Sequence, residues 1–413
     1  MDDVIRTQCC IAGCGPAGAM LGLLLARQGV DVVVLEKHTD FLRDFRGDDV
    51  AAATMEVLDE IGLAEKFLAL SPRRVRRVRA HTPTGEMLLA DLGLVRTKFP
   101  FVAVVPQWDF LTMLTNEAAR FPGFRLIMGA EATGVVVEDG VVRGVRYVDA
   151  DGFSEVRAEL TVAADGRTSA LRQTARMALI ETSAPIDMML FRLPRLENDV
   201  DDSDMNIHLG SGWAMARLNR GDYWLASCVI PKDAADAIQA AGLDDLRSAV
   251  AGVMPALAQH VGSLESWDQI NLLRVRTDRL SRWYRPGFLC IGDAAHAMSP
   301  IGGTGVNFAV HDAVVTANLL AGPLARGERI TSRQLAAVQR RRMWQVRAMQ
   351  ILQGRLTKGY LVAADSEPTG LRAFGRRVGA KLLDLPGFCA ARSRLTALGL
   401  RRTHVRKNAN WID

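Results

Sequence analysis

Gly13-Cys14-Gly15-Pro16-Ala17-Gly18 sets three glycines in a GxGxxG between the apolar run QCCIAG and the stretch AMLGLLLARQG, which reads as a helix ending at Gly29. The first glycine permits a tight turn, the second lets a pyrophosphate approach the backbone, and the third lets helix and strand pack closely. The start of the helix adds N–H donors and the positive end of its dipole. Glu36 closes the next β-branched run, DVVVLE, where a carboxylate can accept hydrogen bonds from an adenosine ribose. Pro16, Ala17 and Lys37 border the same cradle. The strand–turn–helix–strand context makes this a dinucleotide site, without separating FAD from NAD.

A second constellation begins where the apolar strand GFLCI runs into Gly292-Asp293-Ala294-Ala295-His296. The loop Pro300-Ile301-Gly302-Gly303-Thr304-Gly305-Val306-Asn307 then opens a further helix, NFAVHDAVVTANLL. Asp293 can accept a hydrogen bond from a sugar-chain hydroxyl. The N–H groups from Gly303 to Asn307 can stabilise negative charge at the helix start, which suits a reduced flavin ring carrying its charge near N1 and the C2 carbonyl. A third stretch, Ala164-Asp165-Gly166-Arg167-Thr168-Ser169-Ala170-Leu171-Arg172, lies between them.

Taken together, the three stretches resemble the fingerprints of the class A flavoprotein monooxygenases, the p-hydroxybenzoate hydroxylase-like group. The resemblance spans Gln8 to about Leu320. It implies non-covalent FAD, NADH or NADPH as electron donor, and molecular oxygen transferred by way of a flavin C4a-hydroperoxide to an aromatic or polycyclic substrate. By the same resemblance the Asp165 stretch is associated with both FAD and NAD(P)H, with Arg167 a contact for the latter. Arg46, in Phe45-Arg46-Gly47-Asp48, matches an arginine that contacts the cofactors, with Arg43 a weaker candidate. Gln107 matches a Gln or Arg position at the head of a helix touching FAD. A reductase or dehydrogenase of the geranylgeranyl-reductase-like branch is the alternative; a halogenase is disfavoured because no WxWxIP signature occurs.

No acid–base residue stands out, and the catalytic residues are left unassigned. A phenolic substrate can need partial deprotonation, and His208, Arg192, Arg217 and Tyr223 fall in the region expected to meet substrate, each with a structural role as the simpler reading. His296 reads as loop support rather than a proton-transfer group. Met188, Met189, Met215, Trp213 and Trp224 are the candidate inward positions of a flat pocket.

The elements that must position these residues imply an α/β fold, with a Rossmann-like, glutathione-reductase-like FAD/NAD(P)-binding domain, an interleaved mixed β-sheet substrate domain and a helical C-terminal tail. The expected FAD-binding domain comprises residues 1–75, 102–178 and 278–348. The substrate sheet comprises 76–101 and 179–277, and the helical region 349–413. A second helix is expected over Ala53 to Leu70, a helix over Trp108 to Arg120, and strands at Asp-Gly turns after Arg125.

Of 413 residues, 49% are hydrophobic and 23% charged, an ordinary globular composition. The opening MDDVIRTQCC lacks a basic segment followed by an apolar stretch, so a cytoplasmic protein without stable membrane insertion is expected. Six cysteines without framework spacing predict buried free thiols, and no His/carboxylate cluster suggests a metal. Net charge is +5, yet from Ala321 onward 19 Lys/Arg face 5 Asp/Glu. Without aromatic interleaving, this basic tail reads as a solvated face rather than a nucleic-acid surface. A monomer or homodimer binding a small ring compound is the expectation for partners.

Overall fold

Runs of Val, Ile and Leu without polar alternation form strands buried on both faces. In the computed structural model, which describes residues 4–42, 49–83, 85–182, 184–210, 212–365 and 386–412, such runs build a parallel sheet. Its order is Phe124–Met128, Val32–Glu36, Ile5–Ala12, Gly152–Ala163 and Phe288–Cys290, with Tyr284–Arg285 antiparallel at the edge. Cys10 lies between Val33 and Thr161 in register. The Pro16–Ala26 helix crosses this sheet with every residue from Ala17 onward buried, and the Gly305–Ala325 helix packs on it. Cys9, Cys10, Cys14 and Cys290 are free thiols in this core. The strands Glu131–Glu138 and Val141–Asp149 turn at Asp139-Gly140, both at positive φ (50° and 76°) as a two-residue hairpin requires.

The second sheet has seven strands in the order Ile270–Leu273, Ile186–Pro194, Tyr223–Pro231, Trp213–Asn219, Met205–Gly210, Arg77–Thr82 and Gly85–Asp91. A ribbon of Leu179–Thr182 and Thr277–Leu280 joins it to the first sheet's chain. Both faces are apolar. Met189, Phe191, Trp224, Ala226 and Cys228 point outward into a core closed by Leu246, Val250, Met254 and Leu257. Met188, Leu190, Leu225, Ser227 and Val229 point the other way, towards the first domain.

The expected helix over residues 53–70 is two helices, Ala52–Glu60 and Ala64–Ala69, parted at Gly62 (φ 71°). Ser332–Asp365 is one helix running unbroken across the boundary expected at residue 349. The tail helix Pro386–Leu398 docks on the open edge of the seven-stranded sheet. Arg392 Nε and Nη2 donate to the carbonyls of Leu89 (2.7 Å) and Leu88 (3.0 Å), and Ser393 Oγ accepts from Asp91 N–H. Beyond it, Arg402 pairs with Glu56 (3.4 Å) and His404 with Glu60 (2.5 Å). Part of the basic tail is thus held against the acids of one helix. The Gly305–Ala325 helix is long and apolar enough to cross a membrane, but 72% of its apolar window is buried in the core.

Candidate active site

The three glycines of the first turn serve three different needs. Gly13 has φ +93°, and a Cβ there would meet the Ala164 carbonyl at 2.4 Å. A Cβ on Gly18 would lie 1.9 Å from the Gly13 carbonyl oxygen, so its hydrogen is what allows the helix to approach the strand. A Cβ on Gly15 would meet nothing within 4 Å. Gly15 opens into the large cavity, while Gly18 is absent from its lining. Glu36 stands opposite, its carboxylate accepting from Cys14 N–H (2.9 Å) and His38 N–H (3.2 Å).

The second constellation meets the third through charge. Arg167 Nε donates to Asp293 Oδ2 at 3.0 Å, and Arg172 donates to the carbonyls of Ala294 and Arg167. Asp165 accepts from Leu171 N–H through one oxygen, while its other oxygen, Oδ1, is buried without a partner. Burial raises the Asp165 pKa, against the lowering effect of Ser169, the Leu171 N–H and Arg172. Gly292 does not face the cavity; its N–H donates to Asp312 Oδ2 (3.0 Å). Asp312 also accepts from His296 Nε2 (2.6 Å) and Arg342 Nε (2.6 Å). Burial alone would raise the Asp312 pKa, but these two neighbours bring it down to about 2. His296 is therefore a buried support of the loop, outside the cavity lining.

Asn307 lies in the lining, yet its side chain is fully engaged by protein. Oδ1 accepts from Ala51 N–H and Thr54 Oγ1, and Nδ2 donates to the carbonyls of Asp49 and Gly303. It ties the glycine loop to the segment after residue 48. Gly303 has φ +59°, and a Cβ there would strike Asp49. Burial raises the Asp49 pKa, with Arg220 opposing.

A single cavity of ≈ 1230 Å³ collects most of these residues. Gly13, Gly15, Pro16, Ala17, Glu36, Lys37, Gln107, Asp165, Arg167, Asp293, Pro300, Gly303, Gly305, Val306 and Asn307 all line it. It continues beneath the seven-stranded sheet, where Met188, Leu190, Ile207, Leu218, Leu225 and Val229 form the roof. Leu352 and Leu356 of the long helix and Leu395 and Leu398 of the tail helix complete its walls. Arg43 and Arg46 lie outside the described residues.

Of the pocket positions expected from sequence, Met188 and Met215 line the cavity. Met189, Trp213 and Trp224 instead belong to the outer core, which Met215 also joins; the period of two along a strand sends Met188 and Met189 to opposite faces. Among the acid–base candidates only Arg217 is in the lining, with its guanidinium 4.6 Å over the Trp224 ring and 3.5 Å from Asp202. Arg192 stacks over Tyr223. His208 stacks on His81 (4.4 Å), and burial, with His81 and Arg217 nearby, lowers its pKa to about 4. Sequence reading missed Asp312 and Arg342. Asp312 sits five residues after Asn307 in the same helix and could have been flagged with it; Arg342 carries no local signal.

Residues 6–351 match the FAD binding domain family. The chain belongs to that family. The 6-methylpretetramide 4-monooxygenase of Streptomyces rimosus is 30% identical over 351 residues, covering 82% of this chain and 81% of the relative. A digeranylgeranylglycerophospholipid reductase of Methanocella arvoryzae is 25% identical over 334 residues, covering 77% of this chain and 78% of the relative. In fold the chain is similar to the p-nitrophenol 4-monooxygenase of Pseudomonas putida, with a TM-score of 0.77 at 18% identity over 96% of this chain and 98% of that one. Within the FAD binding domain family this chain is an FAD-dependent monooxygenase, and that reading prevails over the reductase alternative.

Proposed function

We propose that this monooxygenase draws electrons from NADH or NADPH and hydroxylates a polycyclic aromatic substrate beneath the seven-stranded sheet. The observation carrying the proposal is the continuity of one ≈ 1230 Å³ cavity from the Gly15 cradle to the apolar face of that sheet. The residues fit the cofactor: Gly15 leaves open the space that a pyrophosphate needs, and Asp165 turns an unpartnered oxygen into the buried wall. In this reading Gly15, Pro16 and Ala17 cradle the pyrophosphate, aided by the positive end of the helix dipole. Glu36 takes the ribose hydroxyls, with Lys37 beside it. Asp293 accepts from the sugar chain, Gln107 and Asp165 flank it, and the helix start at Gly305–Asn307 faces the ring's negative edge. Gly13, Gly18, Gly292 and Asn307 hold the loops in shape.

When bound, FAD supplies the hydride-accepting and oxygen-activating chemistry. The chain's own part is to orient the substrate and exclude water. Met188, Leu190 and Leu225 offer a dry surface to a flat ring system and keep water from it. Arg167, freed from Asp293, and Arg46 are the proposed contacts of the nicotinamide donor. The 6-methylpretetramide 4-monooxygenase activity of the Streptomyces rimosus relative supports a polycyclic substrate.

The test is the visible spectrum of the purified protein, recorded before and after anaerobic NADPH or NADH, with and without phenols and polycyclic aromatics, and again in air. Flavin absorption that bleaches faster with one ring present, and returns in air, is the expected result. Reduction indifferent to every ring, or product lacking label from labelled oxygen gas, overturns the proposal.

A further inference from the structure

One polar side chain in the cavity wall has no hydrogen-bond partner among the described residues. His311 is 94% buried, being 6% exposed, and what remains exposed lies in the cavity lining. Its ring takes part in no hydrogen bond, ion pair or ring stack among the described residues. This is unlike its neighbour Asp312, which is saturated by three donors. It also differs from His296 and His260, each held by a carboxylate. Neither ring nitrogen is sealed in the core, so the hydrogen-bonding capacity of the imidazole stays open to a ligand in the cavity.

We propose that His311 is a substrate-positioning residue, exchanging hydrogen bonds with a phenolic hydroxyl of the polycyclic substrate. The inference rests on the functional reading above. It follows from where the ring stands, since Arg342 and Gln345 from the long helix and Leu398 and Arg401 from the tail line the same cavity. The imidazole is neutral. Burial lowers its pKa to about 3, and the positive Arg342, with a smaller contribution from His404, adds to this against the opposing charge of Asp312. A neutral imidazole offers one N–H and one lone pair. It therefore matches a hydroxyl, which both donates and accepts, better than a methyl ether of the same size.

The test compares 2-hydroxyanthraquinone with 2-methoxyanthraquinone, below the phenol's own pKa. The probes are titrated into FAD-loaded wild type, His311→Gln and His311→Phe, with Kd read from the flavin difference spectrum. Wild type is expected to favour the phenol, and His311→Phe to lose about tenfold for the phenol alone, the size of one net hydrogen bond. His311→Gln, which keeps a donor and an acceptor, restores most of the preference. Flavin-loaded variants that bind both probes as wild type does overturn the inference and leave the monooxygenase reading standing. So does loss of FAD from His311→Phe, which would assign the ring to the cofactor. A wild type that binds no flavin overturns the functional reading and the inference with it.

Discussion

Replacing Gly15 and, separately, Gly18 by alanine adds the same methyl group three residues apart, and the structure gives the two substitutions opposite consequences. At Gly18 the new carbon falls 1.9 Å from the Gly13 carbonyl oxygen and 3.3 Å from an Ile11 methyl, so backbone must move. Overpacking of that kind costs about 1–3 kcal/mol, and more where no side chain can yield. At Gly15 the methyl meets nothing within 4 Å, and φ of −71° suits alanine. The apoprotein then loses only the small preference for glycine over alanine at a helix N-cap, about 1 kcal/mol or less. The same methyl enters the space that the proposed cradle leaves for a pyrophosphate. A loss of about 3 kcal/mol in FAD binding, roughly 100-fold in Kd, is expected. Urea unfolding of the apoproteins and quenching of flavin fluorescence on titration with FAD separate the two effects. Gly15→Ala should unfold near wild type yet bind FAD weakly, and Gly18→Ala should unfold early. Wild-type FAD affinity in Gly15→Ala, or equal destabilisation of both, would refute the cradle.

Met188 and Met189 offer a second adjacent contrast. Met189→Ala should cost about 2–5 kcal/mol of stability through the outer core, whereas Met188→Ala should chiefly raise the substrate KM, roughly 3–10-fold, as steady-state kinetics would show. Asp312→Asn should lower stability by about 3–5 kcal/mol, because Arg342 is left buried beside a neutral partner. Since its folded pKa is depressed to about 2, the contribution of Asp312 is present above the ordinary carboxylate range and lost as pH falls through about 2. Acid-unfolding curves of wild type and Asp312→Asn should converge there. Asp293→Ala should weaken FAD retention by about 1–3 kcal/mol, while folding stability changes by less than about 1 kcal/mol because the pair with Arg167 is a third exposed. Equilibrium dialysis and denaturant midpoints check the two halves.

The parts legible from sequence were those encoded by a few consecutive backbone units. The turn at Gly13, the strand that ends at Glu36, the Asp139-Gly140 hairpin and the helix opened by the loop through Gly305 each declare themselves within a dozen residues. Glycine, proline and β-branched residues restrict local dihedrals directly. Even there, local pattern did not say which glycine faces ligand space. Gly15 does; Gly18 and Gly292 serve packing and a buried carboxylate.

By itself, then, the sequence determined the glycine turn, the strand and helix order, and the three constellations on which the proposed cofactor cradle rests. Tertiary structure alone decided that Met188 faces the cavity while Met189 and Trp224 face the outer core. An alternating strand has two faces, and here both are covered by apolar partners, so composition cannot tell them apart. It alone brought Arg342 to Asp312 from 30 residues away, the tail helix to the sheet edge, and the unpartnered His311 into the cavity wall. Such contacts join segments with no local relation, and only the packing of helices and sheets around one cavity places them together.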